Sequence, residues 1–373
     1  MVKKKIGPGI ILAAFIVIIC FSWLFWFFLG KYADSTNYEN RELAVKPKLT
    51  IDNYGTFFEE YDSYFNDNIP FRNNLITINT AIDYFLFNIS TNENVVAGNN
   101  NWLFYSRVDD GDPISCYQGT NLLTDEELSV IANNCMSQRD FLAKQGTEFV
   151  IFIAPNKERI YYENMPAYYG LPAENYKAKQ IVEYLHANTD LRVIYPYEDL
   201  MQTKEAIEEN IYYKTDTHWN SIGGYIGASA LLKELGIDMP AIYDPRISIN
   251  PGKKLSGDLA AMLNLSRQLR SKDTEYSVSG YNTHNLEVVE EDFFNAFIYH
   301  AENADPRKIY ICRDSFATAM ARYIGSQFTD SYLRHAASYS YGDYLAQAPD
   351  IFVYEVVERS VGNLGTFSVQ KAD

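Results

Sequence analysis

Three short runs limit the folds open to this chain: EFVIFIAP (148–155), KIYICRDS (308–315) and DIFVYEVVE (350–358). Each is apolar through its middle with no polar alternation, as in a strand covered on both faces, and each ends in a turn. LRVIYPY adds a fourth run of the same kind. Helical stretches separate them, near AENYKAKQIVEYLHAN, NSIGGYIGASALLKELG (220–236) and FATAMARYIG. Strand–helix alternation of this sort predicts an α/β domain whose parallel sheet is covered by helices on both sides. A further helix precedes the first run: Thr124 caps it, Glu127 completes a capping box and Gly146 stops it. Residues 237–307 carry only short elements, and no internal repeat or low-complexity tract occurs.

The N-terminus has a different character. Ile10 to Leu29 is twenty residues with Ser22 as its one polar member, preceded by Lys3, Lys4 and Lys5. That is the length of a bilayer-crossing helix, with Trp23, Trp26, Phe27 and Phe28 at the far boundary. The lysines place the N-terminus inside, so the reading is a single-pass cell-membrane protein with its C-terminal domain extracellular. The run is too long for a secretory signal, and FWFFLGKY offers no small-residue cleavage site, so an uncleaved anchor is expected. Residues 1–30 are read as this signal anchor and 31–90 as a juxtamembrane and helical lead-in, with two amphipathic helices broken at Pro70. Residues 91–373 are read as the α/β domain.

The net charge is −16. With three lysines and no acids in residues 1–30, the remainder carries −19. That body is therefore a poor ligand for nucleic acid or anionic lipid, and no nucleic-acid partner is expected. Cysteine is too sparse for a disulfide framework. Cys116 and Cys135 could pair, and Cys312 reads as a small buried hydrophobe.

Ligands of open parallel sheets bind beyond the carboxyl ends of the strands. Asn156 and Lys157 stand at one such end and Arg313-Asp314-Ser315 at another, while KTDTHWN immediately precedes the helix that begins near Asn220. Ser315 is the candidate nucleophile, because a helix after it would aim free N–H groups at a developing oxyanion. A serine hydroxyl needs a base. Of five histidines only His218 has an acid beside it, and in an extended segment Asp216 and His218 share a face. Asp216 would hold the imidazole's tautomer and stabilise its charged form. An N-cap role for Ser315 and a core role for His218 are the plain alternatives. No third His or Cys stands in ligand spacing, so no metal is expected, and nothing suggests a cofactor.

GNNNWLFY, APNKERIYYENMP, TDTHWNSIGGY, SGDLAAML, CRDSFA and DIFVYEVVER, in that order, resemble the SGNH-hydrolase-like domains of AlgX/AlgJ-type alginate O-acetyltransferases, and more closely the DHHW proteins of Gram-positive bacteria. The resemblance runs from about residue 38 to 360. It implies a three-layer α/β/α domain with a flavodoxin-like sheet and a triad of Asp216, His218 and Ser315. It also implies Asn156 as an oxyanion donor beside the Ser315 N–H, with Lys157, Arg313 and Trp219 lining the site. Two positions depart from the pattern: Arg313 replaces a glycine and Thr217 a histidine. The implied activity is acetyl transfer to a hydroxyl of an exported or cell-wall polysaccharide, fed by a multipass membrane O-acyltransferase. A polysaccharide acetylesterase with the same triad, and a non-catalytic polysaccharide-binding component, stay open at this point.

Overall fold

The computed structural model describes residues 8–34 and 42–371, and of these the side chains of Pro8 and residues 18–25 lie outside the description. The chain divides into two compact units, Met1–Thr91 with Ala261–Leu265, and Asn92–Ala260 with Ser266–Asp373.

In the first unit, Pro8–Leu29 is helical. Among the described residues no helix is long and apolar enough to cross a membrane. The expected span, Ile10 to Leu29, falls in part on side chains outside the description. Two helices follow, Phe57–Asp67 and Arg72–Phe87, on either side of Pro70.

The second unit is built on a seven-stranded sheet. Its strands are β1 (Glu148–Ala154), β2 (Arg192–Ile194), β3 (Leu286–Glu291), β4 (Ala296–Ala301), β5 (Asp305–Arg313), β6 (Phe328–His335) and β7 (Ile351–Val357). They lie in the order β2-β1-β7-β5-β6-β4-β3. The first five of that order are mutually parallel. β4 and β3 continue the sheet as an antiparallel hairpin, so it is mixed and not wholly parallel as expected. That hairpin comes from the segment that carried no clear period. β6 also escaped the sequence reading, because it borders the hairpin and its residues alternate between buried and half-buried.

Neighbouring residues of the central strands feed opposite cores. Val150, Phe152, Ile309, Ile311 and Val353 pack with Ile222, Tyr225 and Leu231 of the helix Ser221–Glu234. Phe149, Ile151, Tyr310, Phe352 and Tyr354 pack with Leu128 and Ile131 of the helix Asp125–Lys144 and with Ile181 and Leu185 of the helix Lys177–Asn188. This period-two division makes the three layers and explains why the strand sequences show no polar alternation. Cys116, Cys135 and Cys312 are all buried and free, so Cys116 and Cys135 are not joined.

Candidate active site

Three segments converge beyond the carboxyl end of the sheet. The first is the loop Tyr212 to Trp219, whose ends are tied by an antiparallel bridge and by Tyr213 N–H donating to the His218 carbonyl at 3.2 Å. Its middle is not the expected extended segment. Asp216 Oδ1 accepts from the His218 backbone N–H at 3.0 Å, which closes a tight side-chain turn. The same oxygen lies 2.6 Å from His218 Nδ1. Acid and base therefore meet by a turn and not by strand alternation.

The second segment is the turn after β5. Ser315 Oγ lies 2.7 Å from His218 Nε2. Ser315 makes no side-chain capping bond to the turn that follows it, so the N-cap alternative does not hold. That turn is a 3-10 helix, Phe316–Met320, followed by the short helix Ala321–Gly325 in place of one continuous helix. Asp314 fixes the turn from below, accepting from Phe316 N–H at 2.8 Å and Val357 N–H at 2.7 Å. Glu355 accepts from Asp314 N–H at 2.9 Å. Burial, with the Asp314 charge beside it, holds the Glu355 carboxyl far above the usual carboxylate range. Trp219 Nε1–H donates to the Phe316 carbonyl at 2.8 Å and ties the first segment to the second.

The third segment is Ser256-Gly257-Asp258, delivered by a two-stranded ribbon of Ser248–Leu255 and Asp273–Ser279. Asp258 N–H donates to Asp216 Oδ2 at 3.0 Å. The Asp258 carboxylate accepts from Thr217 N–H at 2.8 Å and Thr217 Oγ–H at 2.6 Å. Thr217 Oγ is itself 3.1 Å from His218 Nδ1, and Asp258 Oδ2 is 4.0 Å from that nitrogen. Asp273 holds the loop from another side, accepting from Lys214 N–H and Thr215 N–H. The sequence reading missed Asp258, Asp273 and the use of Thr217. Its one available signal was SGD, which carries no spacing to the Asp–His pair.

The electrostatics follow from these contacts. Burial alone would raise Asp216, but the hydrogen bonds and charge of His218 and the Asp258 N–H outweigh it and hold the carboxyl down at about 2. For His218, burial pulls down, yet the bond and charge of Asp216, helped by Asp258, lift it above the ordinary imidazole range. Asp216, His218 and Asp258 bring three potential ligand atoms within 4.8 Å of one another. Hydrogen bonds account for that proximity, since Asp216 takes Nδ1 and Thr217 takes the Asp258 carboxylate.

The expected lining residues divide. Trp219 lines a cavity of about 610 Å³ together with Tyr213, Asp216, His218, Asp258, Phe293 and Ser315. Lys157 does not line it. It is 1% exposed, and its ammonium donates to the carbonyls of Asp216 at 2.5 Å, Tyr213 at 3.2 Å and Lys214 at 3.4 Å. A buried ammonium requires such partners, so its place is beneath the loop. Arg313 is wholly buried and donates to the carbonyls of Asp314 and Phe293, supporting a cavity wall without forming it. Asn156 is buried, with Oδ1 accepting from Arg359 N–H at 3.3 Å and Nδ2 without a hydrogen-bond partner.

The comparisons agree with this architecture. Residues 95–296 match the family described as "SGNH hydrolase-like domain, acetyltransferase AlgX", a span that includes Asp216 and His218 and stops before Ser315. The chain is 26% identical over 230 residues to the probable alginate O-acetylase AlgJ of Pseudomonas syringae pv. tomato, covering 57% of this chain and 51% of that protein. AlgJ of Pseudomonas putida is also 26% identical, over 217 residues, covering 57% and 52%. The chain thus spans about half the length of these relatives. Among solved structures, Bacillus cereus PatB1 with a sulfonyl adduct aligns with TM-score 0.53 and 15% identity, covering 74% of this chain and 100% of that one. A DHHW family protein from Eubacterium siraeum aligns with TM-score 0.52 and 13% identity, covering 74% and 99%. These two support the fold.

Proposed function

Because the chain belongs to the family of AlgX-type SGNH hydrolase-like acetyltransferase domains, we propose that it is an O-acetyltransferase acting on polysaccharide hydroxyls through an acetyl-serine. The observation that carries this reading is the unbroken relay from Ser315 Oγ through both imidazole nitrogens to Asp216, at 2.7 and 2.6 Å. Such spacing is what proton transfer from a serine hydroxyl requires.

Ser315 Oγ attacks the carbonyl carbon of an acetyl donor while His218 Nε2 takes the hydroxyl proton. Asp216 stabilises the imidazolium that results. The oxyanion is taken up by the Ser315 N–H and by Asn156 Nδ2, a reading supported by the lack of a hydrogen-bond partner on that nitrogen. His218 returns its proton to the leaving group, and acetyl-Ser315 remains. A sugar hydroxyl then gives its proton to His218 and attacks the acetyl carbon. Collapse releases the acetylated sugar and restores Ser315. With water as the acceptor the same cycle is an acetylesterase reaction.

The apolar stretch from Ile10 to Leu29 supports anchoring in the cell membrane, with the catalytic unit extracellular. Family resemblance supports a multipass O-acyltransferase as the source of acetyl groups. The test is intact mass after p-nitrophenyl acetate. Wild type should gain one acetyl group, and Ser315→Ala should gain none; an unchanged adduct in Ser315→Ala sinks the reading. Product analysis with an oligosaccharide present separates transfer from hydrolysis.

A further inference from the structure

The helix Arg72–Phe87 is amphipathic with its faces reversed. The residues it buries are Thr80 and Tyr84, and Thr80 Oγ lies 3.0 Å from Thr91 Oγ. Facing solvent are Leu75, Ile78, Ile82, Phe85 and Leu86, between 47% and 72% exposed. At about 100° per residue these five fall within an arc of about 100°. Single exposed apolar side chains are common, but a stripe that runs the length of a helix calls for a cover. Arg72 and Asp83 are the only charges of this helix and they cancel, so charge does not recruit that cover.

The start of the helix indicates what the cover is. Trp26, near the end of the apolar helix Pro8–Leu29, packs edge-on against Phe71 with ring centroids 5.8 Å apart. Asp34 N–H donates to Asn74 Oδ1 at 2.9 Å, and Asn73 Nδ2 donates to the Asp34 carbonyl at 3.1 Å. The first turn of Arg72–Phe87 is thus fastened to the residues that leave the apolar stretch.

Building on the anchoring reading above, we infer that the helix Arg72–Phe87 lies in the plane of the extracellular membrane surface, its apolar stripe bedded between the headgroups and upper acyl chains of neutral lipid. With Ile10 to Leu29 across the bilayer, Trp26 stands at the interface, the depth its ring favours, and Phe71 stands beside it. A helix of sixteen residues is about 24 Å long. Starting at interface depth, it covers a stripe of that length with lipid only by lying flat. Interfacial helices that seek anionic lipid carry many lysines and arginines. This one has no excess of them, so its attachment rests on apolar area and is insensitive to salt. The lead-in is then held to the membrane twice, by the span and by the helix that follows it.

The experiment places the full chain in phosphatidylcholine nanodiscs. Cys116, Cys135 and Cys312 are buried, so with Cys20→Ser a single introduced cysteine takes a nitroxide label. Labels go separately at Leu12→Cys, at Ile82→Cys and at Ser63→Cys, an exposed polar position of the preceding helix. Collisions with oxygen, which prefers lipid, and with an aqueous nickel chelate are read by electron paramagnetic resonance. The Leu12 and Ile82 labels should both favour oxygen. The chelate should reach Ile82 about fivefold less than Ser63, at low and high salt alike. Ile78→Glu with Phe85→Glu leaves the buried face of the helix untouched and should return the Ile82 label to the chelate. Shielding that survives those two glutamates would overturn the inference. Shielding at Ile82 without oxygen, accompanied by spin–spin broadening, would assign the stripe to a second copy of the chain and overturn it too. If Leu12 is in lipid and Ile82 meets the chelate as freely as Ser63, the surface helix fails while the anchor stands. If Leu12 itself meets the chelate, the anchoring reading fails and takes this inference with it.

Discussion

The ammonium of Lys157 lies 2.5 Å from the main-chain carbonyl of Asp216, on the buried side of the loop that carries the acid and the base. A residue at the end of β1 thus sets the height of a turn some sixty positions later.

Replacing Lys157 with Met should therefore act through position and stability. Three carbonyls lose a charged donor, and stability to urea should fall by about 3 kcal/mol. Acylation by p-nitrophenyl acetate should slow at the kcat level, with KM for so small an ester nearly unchanged. A variant with wild-type stability and rate would remove Lys157 from this role.

Asp216→Asn keeps the size of the side chain and removes its charge. The amide competes for the wrong imidazole tautomer, so kcat for acylation should drop by about 10⁴ with the fold intact by circular dichroism. A loss below tenfold would mean that Asp258 carries the imidazolium instead.

The pH dependence has a defined sign. His218 must be neutral to accept the serine proton, and its surroundings raise it above the ordinary value of 6.5. The acid limb of acylation should thus lie above that value, with activity lost as pH falls through the limb. The charges that face the imidazole are Asp216 and Asp258, which raise it, and Arg359, which lowers it. Asp258→Asn should move the limb to lower pH and Arg359→Met to higher pH, each read from kcat/KM against pH.

Gly257 is packed so tightly that a Cβ there would strike the Cβ, Cα and Oδ2 of Asp216. Gly257→Ala should displace the acid and slow acylation by about 100-fold. Little change in global stability is expected, because the hairpin end can retreat. Wild-type rates in Gly257→Ala would show that the turn has slack.

The layers were legible because the strands at 148–154, 308–313 and 351–357 are buried on both sides and therefore carry no polar alternation. The segment 237–307 was illegible for the opposite reason. Three of its strands, Ser248–Leu255, Asp273–Ser279 and Leu286–Glu291, are exposed on one or both faces, and in the first nearly every residue is solvent-facing, so no apolar period exists to read there. Within the site, Asp216, His218 and Ser315 stood out through residue type and position. The sequence cannot show that an Asx-type turn joins Asp216 to His218, or that Lys157 and Arg313 at the strand ends point into the protein. Burial and carbonyl geometry decide both, and neither leaves a local mark on the sequence.

The order of the strands carries one more consequence. β7, at residues 351–357, lies between β1 and β5, so the middle one of the five parallel strands is synthesised after every other strand of the sheet. Until it arrives, β1 and β5 have no common neighbour, and Asp314 at the Ser315 turn lacks the Val357 N–H. Contacts of such sequence separation form slowly and late. The sheet is thus kept from closing early, and the turn that carries Ser315 is complete only once Val357 has been made. A ribosome stalled before residue 350 should display a protease-sensitive chain that p-nitrophenyl acetate does not label.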